Sequence, residues 1–321
     1  MNLINGREVL ISGGTGSLGK TLLKLLVTEH KPKGIRIFSR DELKQWELQQ
    51  EVSKWETKVP IAFLIGDIRN KERIARACEG VHIVINCAAM KQVPACEYNP
   101  FEAIDTNING VKNIIDACIN NKVDKCFHIS TDKAVYPVNL YGKTKAVAES
   151  LMIQGSVYGG AHGTSFNVCR YGNVLGSRGS IIPLFKEQAK TGQITITDSR
   201  MTRFWITLDK VAKFIINRIN DGKSNKIYIP KIPSAPVLSV ALAVAPGCSF
   251  DDIGIRKGEK LDECLICKEE NVFLRDKEDH YEISPTDDPI ISDSDWTYNS
   301  ADNTWQLSIE EIKEMINESN L

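Results

Sequence analysis

The sequence lacks a long apolar run and an excess of charge of either sign. Its 321 residues include 40 Lys and Arg against 41 Asp and Glu, which gives a formal net charge of −1. This balance excludes a highly basic nucleic-acid-binding protein, and a hydrophobic content of 42% excludes a disordered tail. No stretch reaches the ~18 consecutive apolar residues of a membrane-spanning helix. The longest candidate, Val237 to Ala245, lies between Pro236 and Pro246 and is predicted to be a buried helix.

A signal peptide and a disulfide framework are also not expected. The N-terminus passes from Met1 through Arg7 and Glu8 into a strand-like run, which leaves no room for a signal peptide. The nine cysteines are an odd number scattered through apolar segments, as is typical of reduced, buried thiols. Cys264 and Cys267 form one CxxC pair, but no second pair or histidine cluster completes a zinc site, so we expect two thiols on a late strand and no metal. A cytoplasmic enzyme that binds neither membrane nor nucleic acid is predicted.

The first half of the chain alternates short apolar strands with helical stretches. Helices are predicted at 18–27 and about 140–154, and strands at 9–11, 35–38, 61–65, 81–85, 126–129 and 166–170. This alternation predicts an α/β fold with a doubly wound, parallel, Rossmann-type sheet.

The alternation ends near residue 175, where loop-rich stretches follow with one clear helix and strand at 208–219 and 227–229. We therefore predict a smaller C-terminal lobe that is interleaved with the first domain. In this division, residues 1–174 form the Rossmann domain and 205–230 return to it, while 175–204 and 231–321 form the lobe.

A glycine-rich loop directly follows the first predicted strand and opens the first predicted helix. Gly13, Gly16 and Gly19 have GxxGxxG spacing. Glycines permit a tight turn and a close approach of the backbone, so that a pyrophosphate can bind the amide N–H groups at the helix N-terminus. The loop predicts a dinucleotide site that also includes Thr15, Ser17 and Leu18.

The end of the second strand indicates which dinucleotide binds. NAD-binding proteins usually place an acidic residue there for the ribose hydroxyls, whereas NADP requires a cation for its 2′-phosphate. Ser39 and Arg40 end this strand, and Lys44 lies one turn into the next helix. These residues favour NADP, and Asp41 leaves NAD open. Ser39 is also predicted to cap the helix, in a capping box with Glu42.

Tyr141 and Lys145 stand at positions i and i+4 of a predicted helix, about 6 Å apart along its axis. A cationic lysine beside a phenol favours the phenolate, which can take the proton of an alcohol while the hydride leaves for a nicotinamide. Downstream of a dinucleotide site, this pair predicts an oxidation site.

These motifs together resemble the extended short-chain dehydrogenase/reductase family. A narrower resemblance, from Gly13 to about Trp305, is to the inverting UDP-N-acetylglucosamine 4,6-dehydratases of polysaccharide biosynthesis. Relatives that retain the configuration at C5 carry Met in place of Tyr141, which favours the inverting group. The chain departs from the pattern at Lys257, where the family usually has Pro, and in the glycine-rich stretch 155–163. The resemblance is carried by the segments 39–44, 130–134, 170–174, 201–205 and 256–260.

The resemblance implies that Asp132 and Lys133 add an elimination to the oxidation. Tyr141 would take the 4-hydroxyl proton, Lys133 would remove the C5 proton, and Asp132 would protonate the departing 6-hydroxyl. The cofactor would receive the C4 hydride and return it to C6, and C5 would be protonated from the opposite face. Adjacent Asp and Lys would normally form an ion pair, but desolvation by the sugar would favour the neutral pair, and Lys145 would further disfavour an ammonium at Lys133.

The resemblance also implies contacts with both ligands. Cofactor contacts would come from Gly13, Thr15, Gly16, Ser17, Leu18, Gly19, Ser39, Arg40, Lys44, Asp67, Ile68, Ala88, Lys91, Asn107, Tyr141 and Lys145. The C-terminal lobe would bind substrate, and substrate contacts would come from Lys91, Thr131, Asn173, Arg203, Arg256 and Glu259. His82 and His128 lie within apolar strands and are expected to be packed side chains rather than ligands.

The leading interpretation is an NADP-dependent hydro-lyase that converts UDP-N-acetylglucosamine to UDP-2-acetamido-2,6-dideoxy-β-L-arabino-hexos-4-ulose. A nucleotide-sugar 4-epimerase would share Tyr141 and Lys145 but would have no use for an acid–base pair at Asp132 and Lys133. A catalytically inactive NADP-sensing protein is expected to have lost one of these residues, and all are present. By resemblance the chain would form a homo-oligomer, a hexamer, and its product would lead to pseudaminic acid or to a capsular or O-antigen sugar.

Overall fold

The computed structural model describes residues 2–159, 163–177, 179–221, 225–290 and 295–319. The strands are β1 (Glu8–Ser12), β2 (Gly34–Ser39), β3 (Ile61–Ile65), β4 (Ile83–Asn86), β5 (Lys125–Ile129), β6 (Ser165–Cys169), β7 (Asn173–Leu175), β8 (Gln193–Ile196), β9 (Thr202–Thr207), β10 (Ile227–Pro230), β11 (Ser234–Pro236), β12 (Ser249–Asp252), β13 (Cys264–Ile266), β14 (Leu274–Asp276), β15 (His280–Ile283) and β16 (Tyr298–Asn299).

The helices are α1 (Ser17–Glu29), α2 (Glu42–Val52), α3 (Lys71–Ala77), α4 (Val93–Tyr98), α5 (Pro100–Ile104), α6 (Gly110–Asn120), α7 (Leu140–Tyr158), α8 (Ile181–Ala189), α9 (Leu208–Asn220), α10 (Val237–Val244) and α11 (Ile309–Glu318). Short turns of π- or 3₁₀-helix lie at Asp105–Asn109, Asp132–Ala134 and Lys268–Phe273.

Within the described residues, the large sheet contains nine strands in the order β14-β15-β10-β6-β5-β4-β1-β2-β3. Neighbouring strands from β3 to β10 run parallel, and β15 and β14 continue the sheet in antiparallel pairs. The order of the first six strands is that of a doubly wound sheet, in which the strand order reverses between β1 and β4. A crevice therefore forms at the carboxyl ends of these two strands. The predicted fold class is confirmed.

The predicted strands of the first half correspond to β1 through β6. Val9, Leu10 and Ile11 of β1 and Val84 and Ile85 of β4 have no exposed surface. A parallel strand that is covered on both faces has a nearly continuous apolar sequence, which is why these segments could be found without a structure.

The predicted capping box at the start of α2 is wrong. Ser39 remains the last residue of β2, where Gln45 Nε2 donates to its carbonyl at 2.9 Å and to its hydroxyl at 3.1 Å. The helix begins at Glu42, and Asp41 caps it by accepting from the Lys44 amide at 3.0 Å. Ser39 is paired with Ile65 in the sheet, and the cap of α2 lies two residues further along the chain, at Asp41.

A second, smaller apolar cluster lies outside the large sheet. It is formed by α8, α10 and α11 together with the small sheets β11-β9-β7 and β12-β8. Ile182, Trp205 and Ile312 are among its buried side chains. The predicted buried helix at 237–245 is α10, and Val240 and Ala241 have no exposed surface in this cluster.

The chain returns from the smaller cluster to the large sheet. β10 pairs in parallel with β6, and α9 packs against α1. β15 then pairs with β10, and β14 with β15, so that residues 274–283, assigned from sequence to the lobe, extend the large sheet. The two regions are interleaved at more points than the predicted division contains, and that division stays a prediction.

All nine cysteines carry free thiols, and six of them are buried. Cys264 lies on β13, and Cys267 follows the end of that strand. None of the described helices has the length and apolar character needed to cross a membrane.

Candidate active site

A cleft of about 630 Å³ opens at the carboxyl ends of the parallel strands. Its walls come from the glycine loop after β1, from the ends of β2, β4 and β5, and from the first turns of α7. The predicted site residues that line it are Gly13, Thr15, Gly16, Ser17, Leu18, Gly19, Ser39, Arg40, Lys44, Asp67, Ile68, Ala88, Lys91, Thr131, Asp132, Lys133, Tyr141, Lys145 and Asn173. The predicted residues outside this lining are Asn107, Arg203, Arg256 and Glu259.

The glycine loop has the shape that a pyrophosphate group requires. Gly13 has a φ of +66°, and a Cβ there would lie 2.8 Å from the amide nitrogen of Ala88. A Cβ at Gly19 would lie 2.6 Å from the Cα of Gly14, so this glycine lets α1 pack on the loop. Gly16 offers no capping side chain to α1, and the positive end of the helix dipole lies at the cleft. These features fit a dinucleotide.

Cations and carboxylates pair with one another beyond the end of β2. Arg40 Nη1 lies 3.6 Å from Asp67 Oδ2, and the Arg40 side chain is 56% exposed. Lys44 Nζ lies 2.5 Å from Asp41 Oδ2. Burial alone would raise the pKa of Asp67, but hydrogen bonds from Arg69 outweigh burial and lower that pKa. Arg40 is therefore the more accessible cation for a phosphate, whereas Lys44 would first have to leave Asp41.

Two adjacent turns bring the predicted catalytic residues together. After β5, a 3₁₀ turn begins at Asp132 and is capped by Thr131, whose hydroxyl donates to Asp132 Oδ1 at 2.9 Å. Tyr141 lies in the first turn of α7. The two turns can touch because residue 142 is glycine: a Cβ at Gly142 would lie 2.1 Å from the Lys133 carbonyl oxygen.

Lys133 forms ion pairs with two buried carboxylates. Its Nζ lies 3.1 Å from Asp132 Oδ1 and 3.2 Å from Glu263 Oε1. Burial alone would lower the pKa of Lys133, but the two carboxylates outweigh burial and hold that pKa above its usual range. Burial raises the pKa of Asp132, and the charge of Glu263 adds to the rise. Asp132 and Glu263 thus favour the ammonium form of Lys133, and the cation that opposes this is Arg203, where Lys145 was expected. The neutral Asp132–Lys133 pair, expected under a bound sugar, stays a prediction.

Tyr141 and Lys145 are one helical turn apart on α7. Burial raises the pKa of Tyr141 to about 12, while Lys133 and a hydrogen bond with Thr131 oppose the rise. Burial lowers the pKa of Lys145 to about 8. Among the charges that act on Tyr141, Lys133 favours the phenolate most, an effect that the sequence assigned to Lys145.

His128 links Lys145 to the floor of the cleft. Its Nε2 lies 2.8 Å from Lys145 Nζ, and its Nδ1 lies 2.9 Å from Asn86 Nδ2. Asn86 Oδ1 accepts from the Ser12 hydroxyl at 2.6 Å and from the Ala88 amide at 3.3 Å, which turns the Asn86 amino group toward the ring. In this orientation the Asn86 amino group faces His128 Nδ1. The side chain is packed, as expected, and also contacts a site lysine.

Comparison with known proteins gives the family. Residues 9–285 match the family described as polysaccharide biosynthesis protein. A UDP-N-acetylglucosamine 4,6-dehydratase (inverting) of Campylobacter jejuni is 46% identical over 300 residues, which cover 93% of this chain and 89% of that protein. The chain belongs to the polysaccharide biosynthesis protein family.

A relative with a different name and a solved structure are also similar to this chain. A UDP-glucose 4-epimerase of Rickettsia rickettsii is 38% identical over 329 residues, which cover 97% of this chain and 95% of that protein. The crystal structure of Pen from Bacillus thuringiensis superposes with a TM-score of 0.91 at 37% identity and covers 99% of both chains. The fold is thus shared along the whole chain, while the names of the relatives divide between dehydratase and epimerase.

Arg203 is not among the residues that line the cleft of this polysaccharide biosynthesis protein. Its guanidinium donates to the carbonyls of Thr202 at 2.6 Å, Leu261 at 2.7 Å and Lys260 at 3.0 Å. These backbone acceptors take the donors that were predicted to hold a pyrophosphate. Arg203 instead fixes the segment that leads to Glu263.

The three other predicted contacts outside the cleft lining are Arg256, Glu259 and Asn107. Arg256 Nη1 is 4.0 Å from Glu259 Oε1, and the Arg256 side chain is exposed. Contact of Arg256 and Glu259 with substrate stays a prediction.

Asn107 accepts from the Met90 amide at 2.9 Å and donates to the Met90 carbonyl at 2.9 Å and to the Thr144 hydroxyl at 3.0 Å. Its side chain therefore fixes the loop after β4, where direct contact with cofactor was predicted.

One group of side chains has the spacing of a metal site. Ligand atoms of Asp221, His280 and Glu282 lie within 4.8 Å of one another. Arg218 Nη1 lies 3.3 Å from Asp221 Oδ2 and 3.0 Å from His280 Nε2. A guanidinium thus already balances the carboxylates, and the group is an ion-pair network.

Sequence reasoning missed Glu263, Gly142 and His128. The position of His128 beside the end of β5 was the signal that could have indicated a site residue. Gly142 stands within the motif between Tyr141 and Lys145, but its contact with Lys133 comes from the packing of two turns. No sequence pattern near Glu263 indicated that it is a site residue.

Proposed function

We propose that the protein is a UDP-N-acetylglucosamine 4,6-dehydratase that inverts C5, a hydro-lyase whose product is UDP-2-acetamido-2,6-dideoxy-β-L-arabino-hexos-4-ulose. The observation that carries the proposal is one cleft lined by Tyr141 and by the adjacent pair Asp132 and Lys133. A phenolate suffices as the base for oxidation at C4, whereas loss of water across C5 and C6 also needs an acid and a second base. The 46% identity to the Campylobacter jejuni dehydratase supports the same substrate.

The glycine loop would hold a nicotinamide dinucleotide with its pyrophosphate at the N-terminus of α1. When bound, this cofactor would accept the hydride of C4 and return it to C6, so that no external reductant is consumed. We infer that NADP is the form bound, because Arg40 at the end of β2 is exposed and a guanidinium suits the 2′-phosphate. Lys44 would join it on leaving Asp41.

Each catalytic side chain would move one proton. Tyr141, as a phenolate, would take the proton of the 4-hydroxyl group. The resulting ketone acidifies the proton at C5, which Lys133 would remove as an amine while Asp132 donates a proton to the departing 6-hydroxyl. Protonation of C5 from the opposite face gives the inverted product. Tyr141 and Lys133 take up two protons, Asp132 gives one to the leaving hydroxyl, and C5 receives one from solvent. The side chains return one proton to solvent, so the sugar loses only water.

The remaining ligand contacts are proposed from position. Lys91, Thr131 and Asn173 line the cleft beside the catalytic residues and would contact the sugar. Arg256 and Glu259 would contact the uridine and diphosphate from outside the lining. Assembly into a homo-oligomer stays a prediction.

A nucleotide-sugar 4-epimerase is the second candidate, because the Rickettsia rickettsii relative carries that name at 38% identity. An epimerase would oxidise C4 with Tyr141 and Lys145 and return the hydride to C4. Asp132 and Lys133 would then have no proton to move.

Incubation with UDP-N-acetylglucosamine and NADP in D₂O, followed by proton NMR, distinguishes these functions. A dehydratase forms a 6-deoxy methyl group and carries solvent deuterium at C5. An epimerase leaves the CH₂OH group unchanged. A protein that binds NADPH but converts no UDP-sugar would contradict both enzymes and favour an NADP sensor.

A further inference from the structure

We propose that Glu263 is a positioning residue of the elimination: it neutralises Lys133, so that Asp132 keeps the proton it must donate, and it accepts the proton that Lys133 must give up. This inference rests on the proposed dehydratase function. It concerns a residue that lies 130 positions after Lys133 and belongs to none of the motifs in the first half of the chain.

Glu263 is a buried carboxylate between two ammonium groups. Its side chain is 3% exposed, Oε1 lies 3.2 Å from Lys133 Nζ, and Oε2 lies 3.0 Å from Lys260 Nζ. Lys260 is itself fixed, because it donates to the Val135 carbonyl at 2.8 Å. Burial alone would raise the pKa of Glu263, but Lys133 and Lys260 outweigh burial and lower it. Glu263 is therefore the ionised carboxylate of the cluster.

Asp132 lies on the other side of Lys133 and is bound asymmetrically. Oδ1 accepts from the Thr131 hydroxyl at 2.9 Å and from Lys133 Nζ at 3.1 Å. Among the described residues, Asp132 Oδ2 and Glu263 Oε2 are both buried without a hydrogen-bond partner, but Glu263 Oε2 forms an ion pair with Lys260 Nζ, whereas no ion pair is formed by Asp132 Oδ2. A buried, unpartnered carboxylate oxygen is costly, whereas a protonated one is a donor for a substrate hydroxyl.

The charges around Lys133 favour a proton on Asp132 over one on Glu263. Arg203 also acts on both Lys133 and Glu263, but its guanidinium is bound to backbone carbonyls. Tyr141 also faces Lys133; burial raises the pKa of its phenol, and the charge of Lys133 opposes that rise. The titratable and charged groups of the cluster are thus Asp132, Glu263, Lys133, Lys260, Arg203 and Tyr141. Two carboxyl groups with pKa values pushed apart are the arrangement that acid–base chemistry uses.

The proton balance of the elimination then closes within the cluster. As the sugar excludes water, a proton passes from the Lys133 ammonium over 3.2 Å to Glu263 Oε1 and leaves an amine. The amine takes the C5 proton as the C5–H bond breaks, and Asp132 protonates the hydroxyl as the C6–O bond breaks. Lys133 then returns a proton to Asp132 Oδ1, 3.1 Å away, and Glu263 returns its proton to Lys133.

Glu263→Gln tests the inference, because it removes the charge and keeps the shape of the side chain. Without the Glu263 charge, Lys133 pairs with Asp132 alone, so the pKa of Asp132 falls. We expect the alkaline limb of the pH–rate profile of dehydration to move down by about one pH unit, and turnover at neutral pH to fall about tenfold. NADPH binding should be unchanged, since it does not involve Glu263.

Two control variants separate charge from structure. Glu263→Asp keeps the charge and should keep the alkaline limb at its wild-type position, even where turnover is lower. Asp262→Asn removes a charge one residue away and can still accept from the Thr202 hydroxyl, which lies 2.7 Å from Asp262 Oδ1, so its profile should be that of wild type. If Glu263→Gln binds no NADPH, Glu263→Met, also uncharged and of similar size, takes its place.

An infrared titration without substrate makes the inference independent of the proposed function. The C=O band of a protonated carboxyl, assigned to Asp132 by its loss in Asp132→Asn, should disappear at lower pH in Glu263→Gln than in wild type. An unchanged midpoint, or a wild-type pH–rate profile in Glu263→Gln, would overturn the inference. If wild type forms no 6-deoxy product, the proposed function fails, and the titration still decides the role of Glu263.

Discussion

Replacement of Gly142 by alanine should push apart the two turns that carry the catalytic residues. The new Cβ would lie 2.1 Å from the Lys133 carbonyl oxygen, about 1.3 Å short of the 3.4 Å at which ordinary contact begins. The Cβ of Pro137, at 3.1 Å, restricts movement on another side. Because the clash is with backbone, no side chain can rotate away, and either the first turn of α7 or the turn at Asp132 has to move.

The expected effect is larger on catalysis than on folding. Overpacking of this kind costs about 1–3 kcal/mol. That is a modest part of the ~5–15 kcal/mol by which folded proteins are stable, so the variant should fold and bind NADPH with a lowered Tm. A displacement of about 1 Å between Tyr141 and Lys133 costs about 100-fold in rate. We therefore expect the turnover of Gly142→Ala to be about one hundredth of the wild-type turnover.

The assay is the rate of 6-deoxy product formation, with Tm measured by calorimetry. Gly159→Ala is the matched control just beyond the other end of α7, where a Cβ would make an ordinary contact at 3.4 Å from the Ser156 carbonyl oxygen. This control should keep the wild-type rate. Wild-type turnover in Gly142→Ala would refute the reasoning that Gly142 sets the spacing of the two turns.

Three further changes test other parts of the cleft. Lys133→Ala should abolish exchange of the C5 proton with D₂O, measured by NMR, and keep NADPH binding, measured by fluorescence titration; loss of both would indicate a structural role. Arg40→Ala should weaken NADPH binding about tenfold and leave NADH binding nearly unchanged, because a charge-assisted bond to the 2′-phosphate is lost. An equal loss for both cofactors would count against NADP. Since burial lowers the pKa of Lys145 to about 8, its positive charge should be lost as the pH rises through that value, and cofactor affinity should fall there. Lys145→Arg should remove this pH dependence because arginine stays charged, and a flat wild-type profile would contradict the assignment.

Much of the fold could be predicted because the strands of a parallel sheet are buried on both faces. That burial leaves continuous apolar runs, such as Val9 to Ile11, between helical stretches. β14 and β15 are short strands of mixed character at the edge of the sheet, and no such run marks them. Their place beside β10 depends on contacts that only the folded chain provides.

The parts of the site that depend on the spacing of residues close in sequence could be predicted. The glycine loop, Tyr141 and Lys145 follow rules that act within one or two turns of chain. Arg203 was assigned to a phosphate by its charge, but the carbonyls of Lys260 and Leu261 take its donors, and no local rule shows this. The charge state of Asp132 and Lys133 depends for a related reason on more than the adjacent pair, since Glu263, immediately before β13, also contacts Lys133.

Transfer of deuterium from C4 to C6 tests most directly whether one cleft performs both oxidation and elimination. UDP-N-acetylglucosamine deuterated at C4 would be incubated with the protein and NADP in ordinary water, and the product examined by NMR and mass spectrometry. We predict a CH₂D methyl group, with the deuterium retained in the sugar and a solvent proton at C5. Deuterium that stays at C4 beside an intact CH₂OH group would contradict the account.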